Sequence, residues 1–331
     1  MTFVTCTNAM HRFALFVIYA YCMTSASSTD SVSAMNVSNL ALPDSIAPSI
    51  LASADLLLTK TAYLAGMVAP ETAACLSRLL MDSDAHYSGI IDGYRTEPEV
   101  LKNALNSTNQ QSTLKKVPEL RRRIVEALDL HFHLLQTLAL PGAVARVTFH
   151  RQLAQLGLHP DLWSLARGLA RRREEFQALA PAYHPHVSEP TGAVQVSSRS
   201  VLSFIAFMLE ACLDEVDYMT VALNRGRLRD AVLQVFRSNP RFSEAGVRPE
   251  TAPAFFALLI QGALPTSEFE TFTGLQPIEA SDQLSRLINV GLAAKSASKS
   301  HTLEVGIPTW FAQDILPDFF LVRSEVRSPL P

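Results

Sequence analysis

Apolar residues recur at helical spacing along most of this chain, and the pattern breaks wherever proline, glycine or short polar clusters intervene. Two amphipathic helices are predicted at about Ile46 to Leu64 and Pro70 to Met81. Pro43-Asp44-Ser45 supplies an N-terminal cap for the first, and Pro70 with Glu71 suits the first turn of the second. Ser88 and Asp92 then lie four apart, hence on one helical face, and Gly93 permits a left-handed cap before a further short helix at Pro98. The polar run Asn106 to Thr113 reads as a loop. A helix through Ile124, Val125, Ala127, Leu128, Leu130 and Phe132 follows and continues to about Leu140. Pro141-Gly142 breaks it, because proline has no backbone donor and glycine admits positive φ, and a new helix starts near Ala143.

Beyond that break, a helix through Phe149, Leu153 and Leu156 ends at Gly157, the segment Leu162 to Phe176 follows, and Pro181 to Ser198 reads as a loop. Val201 to Met219 is a long, mostly buried helix. In the last third, Phe255 to Ile260 forms an apolar helix closed by Gly262, Thr266 to Phe272 a short helix with a turn at Gly274, and Pro277 to Asn289 a third with Leu284, Leu287 and Ile288 inward. Leu292 to Lys295 and His301 to Val305 pair as a hairpin around Ser296 to Ser300. Three helices and a hairpin are the order of a winged helix-turn-helix.

With 331 residues, 48% of them hydrophobic and 18% charged, the chain has material for one large or two ordinary cores. A formal net charge of −3 gives no global attraction to nucleic acid or anionic membrane, so any such binding needs a local patch. Cys6, Cys22, Cys75 and Cys212 show no C-x-x-C spacing and fit reduced thiols. Met10-His11-Arg12, the apolar run Phe13 to Met23 and the small residues Thr24 to Ser27 have the shape of a secretory signal, too short to span a bilayer. The competing reading is a mis-assigned start, with Met35 the true first residue, and residues 1–40 are treated as a leader.

Candidate chemistry is thin. His131 and His133 alternate, as do His184 and His186, with no third ligand at useful spacing, so ordinary histidines are expected rather than a metal site. No G-x-S-x-G, G-x-G-x-x-G or phosphate-loop motif occurs. Lys115, Lys116 and Arg121 to Arg123 read as a solvated helix face. The helix start after Pro141-Gly142 offers free N–H groups to a phosphate, yet between Leu134 and Val147 the one ionisable side chain is Arg146.

The segment Tyr87-Ser88-Gly89-Ile90-Ile91-Asp92-Gly93 resembles the inhibitory helix of Fic-family (Fido-fold) proteins, with Ser88, Asp92 and Gly93 at the motif places and Asp92 standing for the usual Glu. Leu162-Trp163-Ser164-Leu165-Ala166-Arg167-Gly168-Leu169-Ala170-Arg171 is similar to a block that follows the catalytic helix in one Fic subgroup, and Val201 to Met219 resembles its last core helix. That subgroup also carries a winged-helix tail ending in an aromatic segment like Ile307 to Phe320. The resemblance runs from about Leu42 to Leu223. It implies descent from enzymes that move AMP from ATP to a protein hydroxyl with Mg²⁺. Their motif is His-x-Phe-x-(Asp or Glu)-Gly-Asn-Gly-Arg-x-x-Arg. Counted back from Arg146, the base position here is Leu135, the phenylalanine Thr137, the metal ligand Ala139, the asparagine Pro141 and the first arginine Ala143, while Gly142 and Arg146 remain. Losing base, metal ligand and a phosphate cation leaves no route to normal transfer. Gly93 and Leu135 are also too close for the family's usual flap.

The expectation is therefore a mostly α-helical chain: a Fic-like helical bundle with a truncated core over 41–225, a linker at 226–250 and a winged helix-turn-helix at 251–325. It is expected to be an inactive adenylyltransferase relative, or a decayed one, in the cytoplasm, with no membrane span and no cofactor of its own, ATP and Mg²⁺ being implied by the family alone. Asp92 and Arg146 are expected to form an ion pair, as the family's inhibitory carboxylate and last arginine do. The alternative is a DNA-binding regulator using Gln283, Arg286 and Lys295, although Glu279 and Asp282 place acid on the same helix, and winged helices also serve as protein-binding or dimerisation modules.

Overall fold

A computed structural model describes residues 46–92, 124, 125, 127, 128, 142–179, 198–316 and 319. The described chain is mostly helical: α1 Pro48–Met67, α2 Pro70–Asp92, α3 Gly142–Gln155, α4 Leu165–Arg171, α5 Arg173–Leu179, α6 Ser198–Ala222, α7 Arg225–Ser238, α8 Pro240–Glu244, α9 Ala252–Gln261, α10 Thr266–Thr273, α11 Pro277–Asn289 and α12 Thr309–Ile315. Three short strands, β1 Ala263–Pro265, β2 Ala293–Lys295 and β3 Thr302–Val305, lie between α9 and α12. Among the described residues no helix is long and apolar enough to cross a membrane.

The chain divides into two compact units: one holds residues 1–58, 84–160 and 165–213, the other 59–83, 161–164 and 214–331. In the first, Ile124, Val125, Leu128, Phe149, Leu153, Leu169 and Phe176 are all buried. Phe176 packs with Phe204 and Phe207, ring centroids 6.3 Å apart in both pairs. Arg172 covers that cluster, its guanidinium 4.5 Å from the Phe207 ring centre. It also donates to Glu175 at 2.9 Å and to Glu210 at 3.2 Å. The Glu175 hydrogen bond is the leading reason its pKa is raised. A cation held flat over an aromatic face keeps its apolar stem in the core and its charge in water.

In the second unit, α7, α9 and α12 meet through aromatic rings. Phe236 stacks on Phe242 at 4.2 Å and lies 5.5 Å from Phe255, while Phe311 stands edge-on to Phe255 at 5.2 Å. Edge-to-face and offset contacts of this kind add about 0.5–1.5 kcal/mol each beyond area burial. Residues 226–250, expected as a linker, are thus two packed helices, with Leu228, Val232, Val235, Phe236 and Phe242 buried. Asn224 caps α7 through its side chain, and Asn239 both ends α7 and caps α8 by accepting from the Arg241 N–H. Arg227 closes two more helix ends, donating to the carbonyls of Ala222 at 2.6 Å and Ile315 at 3.0 Å.

The sheet is antiparallel in the order β1-β3-β2. Leu264 faces Leu303 across one pair and Ala293 faces Val305 across the other. Two glycines allow the chain to come this close. Gly262 has φ +77, and a Cβ there would sit 2.8 Å from the Glu71 carboxylate and 3.1 Å from Ala69. At Gly306 a Cβ would fall 2.1 Å from the Gly291 carbonyl oxygen, so no side chain fits. Residues 59–83 join this unit directly: Thr72 Oγ1 donates to the Leu259 carbonyl at 2.7 Å and Cys75 Sγ to that of Val305 at 3.1 Å.

The expected helices at 46–64 and 70–81 are present but longer, and α2 runs unbroken to Asp92, so that Ser88 lies on the same helix as Pro70. No proline or helix-ending glycine interrupts residues 82–88. The helix expected to start near Ala143 is there, α3 beginning at Gly142, while the end of the helix expected before Pro141 lies outside the described residues.

Candidate functional site

Of the residues assigned to the degenerate nucleotide site, Gly142 opens α3 and Ser88 lies half-buried on α2. Leu135 and Gly93 lie outside the described residues, as do the side chains of Asp92 and Arg146 and hence their expected ion pair. Among the described residues no group of three His, Cys, Asp or Glu side chains could hold a metal.

The described candidates cluster in the second unit, where α9, β1, α10, a turn at Gly274 to Gln276, α11, β2 and β3 follow one another. Gly274 adopts φ +67 and caps α10, its N–H donating to the Thr271 carbonyl. Pro277 then opens α11 at a position where its missing N–H costs nothing. This places α10 and α11 as a helix pair with β2 and β3 beyond them.

Gln283 is buried on α11. Its Oε1 accepts from the Arg248 N–H at 2.7 Å and its Nε2 donates to the Gly246 carbonyl at 3.2 Å. Arg286, one turn on, donates from Nε to Asp282 at 2.8 Å and from a terminal nitrogen to the Ala245 carbonyl at 3.1 Å. Gly246, at φ +67, lies under that guanidinium. Two of the three residues expected to read DNA are therefore braces for the loop 245–248. The pattern for this was present: Ala280, Gln283, Leu284 and Leu287 form one i, i+3, i+4, i+7 stripe and are buried together.

The third, Lys295, is exposed at the end of β2. With Lys299 and His301 it lies on the hairpin tip, where Ser296 Oγ accepts from the backbone N–H groups of Ser298 and Lys299 and His301 adopts φ +63. The His301 carbonyl accepts from the Thr266 N–H at 2.9 Å, tying the tip to the start of α10.

What faces solvent on α10 and α11 is different in kind. Ile278 is 87% exposed and Phe272 45%, two apolar side chains open to water on either side of the Gly274 turn. Glu268 lies four residues before Phe272 and Asp282 four after Ile278, so each apolar side chain has a carboxylate on its own helical face. Residues 266–289 hold four carboxylates and one arginine. Residues 225–250 show the reverse, six arginines against three carboxylates, with Arg225, Arg229 and Arg237 exposed on α7. Reading 226–250 as a linker hid this arginine face, although the spacing of Arg225, Arg229 and Arg237 between Leu228, Val232 and Phe236 already has helical form.

No protein-family model matches the chain, and no curated protein matches it either.

Proposed function

We propose that this chain is a Fic-like protein without AMP transfer whose working part is a C-terminal winged-helix module that binds protein rather than DNA. The observation that carries the reading is the order α9, β1, α10, turn, α11, β2, β3 with β3 between its two partners, which is what a winged helix requires. The surface decides between ligands. A DNA reader needs donors and cations on the helix that enters the groove, because the backbone it approaches carries a phosphate charge every few ångströms. On α11 Gln283 and Arg286 are spent on the loop 245–248, and Glu279, Asp282 and Ile278 face outward instead. Carboxylates there repel phosphate, while exposed isoleucine and phenylalanine side chains are what a protein interface buries.

The loss of transfer follows from side-chain chemistry at the motif positions. Leu135 has no atom to take a proton from a hydroxyl, Ala139 no oxygen for Mg²⁺, and Ala143 no charge for a phosphate. ATP and Mg²⁺ do not fit that set, and no step is written through them. Gly142 and Arg146 leave an anion-friendly helix start with nothing to drive a reaction.

Incubation of the full chain with labelled ATP, Mg²⁺ and cell lysate is expected to label no protein; one labelled band that depends on the chain overturns the inactive reading. The DNA reading is favoured by Lys295, Lys299 and His301 on the hairpin tip, which suit phosphate contacts. A gel shift with duplex DNA at low salt, lost on Lys295→Ala with Lys299→Ala, would replace protein binding with DNA binding.

A further inference from the structure

The two charged faces of the second unit match each other. On α7, Arg229, Leu233 and Arg237 follow at four-residue steps, so a half-buried leucine sits between two exposed arginines on one ridge. On α10 and α11, the exposed Phe272 and Ile278 follow the exposed Glu268 in the chain and precede the exposed Glu279 and Asp282. Each face thus combines apolar and charged side chains, and the charges are of opposite sign. Within one copy the faces do not satisfy each other: Glu279 pairs with Arg248 at 3.5 Å and Asp282 with Arg286 at 2.8 Å. Among the described residues Arg229 meets only its sequence neighbour Asp230, at 3.1 Å and 60% exposed, a pair too solvated to hold either residue. Arg237 has no ion pair among the described residues.

We infer that the Phe272–Ile278 face of one copy docks on the α7 arginine face of a second copy. This rests on the proposal that the C-terminal module binds protein, and it names the partner. The apolar side chains supply the affinity by leaving water, and the charges supply register and encounter rate. Two complementary patches on one unit meet either reciprocally across a two-fold axis or head to tail, and the limiting mass at high concentration tells a dimer from a ring or chain. Few side chains are involved, so the association is weak and concentration-dependent. Salt loosens it, since the screening length falls from about 10 Å at 0.1 M to about 3 Å at 1 M.

Sedimentation velocity of the full chain at low salt is expected to show a weight-average mass that rises with concentration and falls back towards the monomer in 1 M salt. Arg229→Glu with Arg237→Glu, and separately Glu268→Lys with Glu279→Lys, should each sediment as monomer, and an equimolar mixture of the two should associate again. Recovery on mixing cannot come from a variant that merely fails to fold. A monomer at all concentrations in low salt, or association unchanged by both reversals, overturns the inference. The outcomes separate from those of the broader reading. A chain that stays monomeric yet shows neither a gel shift nor labelled product loses the self-docking and keeps the protein-binding proposal. A gel shift removes the protein-binding proposal whatever the sedimentation shows.

Discussion

Three exposed arginines of α7 and two polar side chains of α11 are used in opposite ways. On α7 the arginines Arg225, Arg229 and Arg237 face water, and the helix is held by Leu228, Val232, Val235 and Phe236 beneath them. On α11 two polar residues with the same credentials for contacting a ligand, Gln283 and Arg286, turn back onto the protein and bind three loop atoms: the Arg248 N–H and the carbonyls of Gly246 and Ala245. The difference lies in the neighbouring backbone rather than in residue type. A loop with a left-handed glycine leaves peptide groups that no ladder satisfies, and such groups recruit whatever amide or guanidinium is within reach. Polar side chains beside regular helix have no such demand on them and stay available for a partner.

The contrast is broken most directly at Gln283. Gln283→Leu fits the apolar stripe but strips the Arg248 N–H and the Gly246 carbonyl of their partner, and an unsatisfied buried group is more costly than the hydrogen bond it lost. The expected loss is about 2 kcal/mol, or roughly 4–8 °C in Tm for a unit of this size. Thermal unfolding measures it, and an unchanged Tm would mean that water replaces the side chain and that Gln283 is free for a ligand after all.

Gly246→Ala tests the same loop from the other side. Its φ of +67 costs a residue with a Cβ about 1 kcal/mol, and that Cβ would fall on the Arg286 guanidinium. The guanidinium is the far end of a flexible chain and moves aside, giving up its bond to the Ala245 carbonyl. A loss of about 1–2 kcal/mol is expected. Combining it with Arg286→Met separates the parts: if the arginine is a brace, the two changes together cost less than their sum, because the bond is lost once.

The pH response belongs to the other unit. Burial lowers the pKa of His86, which lies beside Tyr87 with ring centroids 5.3 Å apart. Its folded pKa is below the unfolded value of about 6.5, so the unfolded chain binds the proton more readily. Stability is therefore full above pH 6.5 and declines as the pH falls through the interval down to the lowered pKa. His86→Gln should flatten that part of a Tm-against-pH curve, by a small amount because the ring is only half-buried.

Much of the C-terminal unit was legible in the sequence. The apolar spacing from Pro277 to Asn289 set the limits of α11, Gly274 the end of α10, and the hairpin lies within a residue of its expected place. The strand β1 was not, because three residues are too few to show a period and its pairing is decided by Leu303 far along the chain. The helices at 225–244 were missed because arginine, aspartate and glutamine gave the segment a linker's polarity, and only the spacing of Leu228, Val232 and Phe236 argued otherwise. The candidate site suffered from the same emphasis on residue type. Gln283 and Arg286 looked like readers by chemistry, whereas position on the buried stripe made Gln283 a brace, and the exposed Phe272 and Ile278 carried no chemistry to attract notice.

The smallest effect on stability is expected where the effect on assembly is greatest. Arg229→Ala with Arg237→Ala removes two exposed guanidiniums, one with only an adjacent, solvated partner and the other with no ion pair among the described residues. Alanine is also the better helix former, so the propensity change is slightly favourable and the net shift should stay within about 0.5 kcal/mol of zero. The Tm should therefore barely move, while the salt-sensitive part of the sedimentation behaviour disappears. A drop in Tm comparable to that of Gln283→Leu would show that α7 holds its arginines for the fold, and the distinction between a helix that braces and a helix that is free to bind would no longer stand.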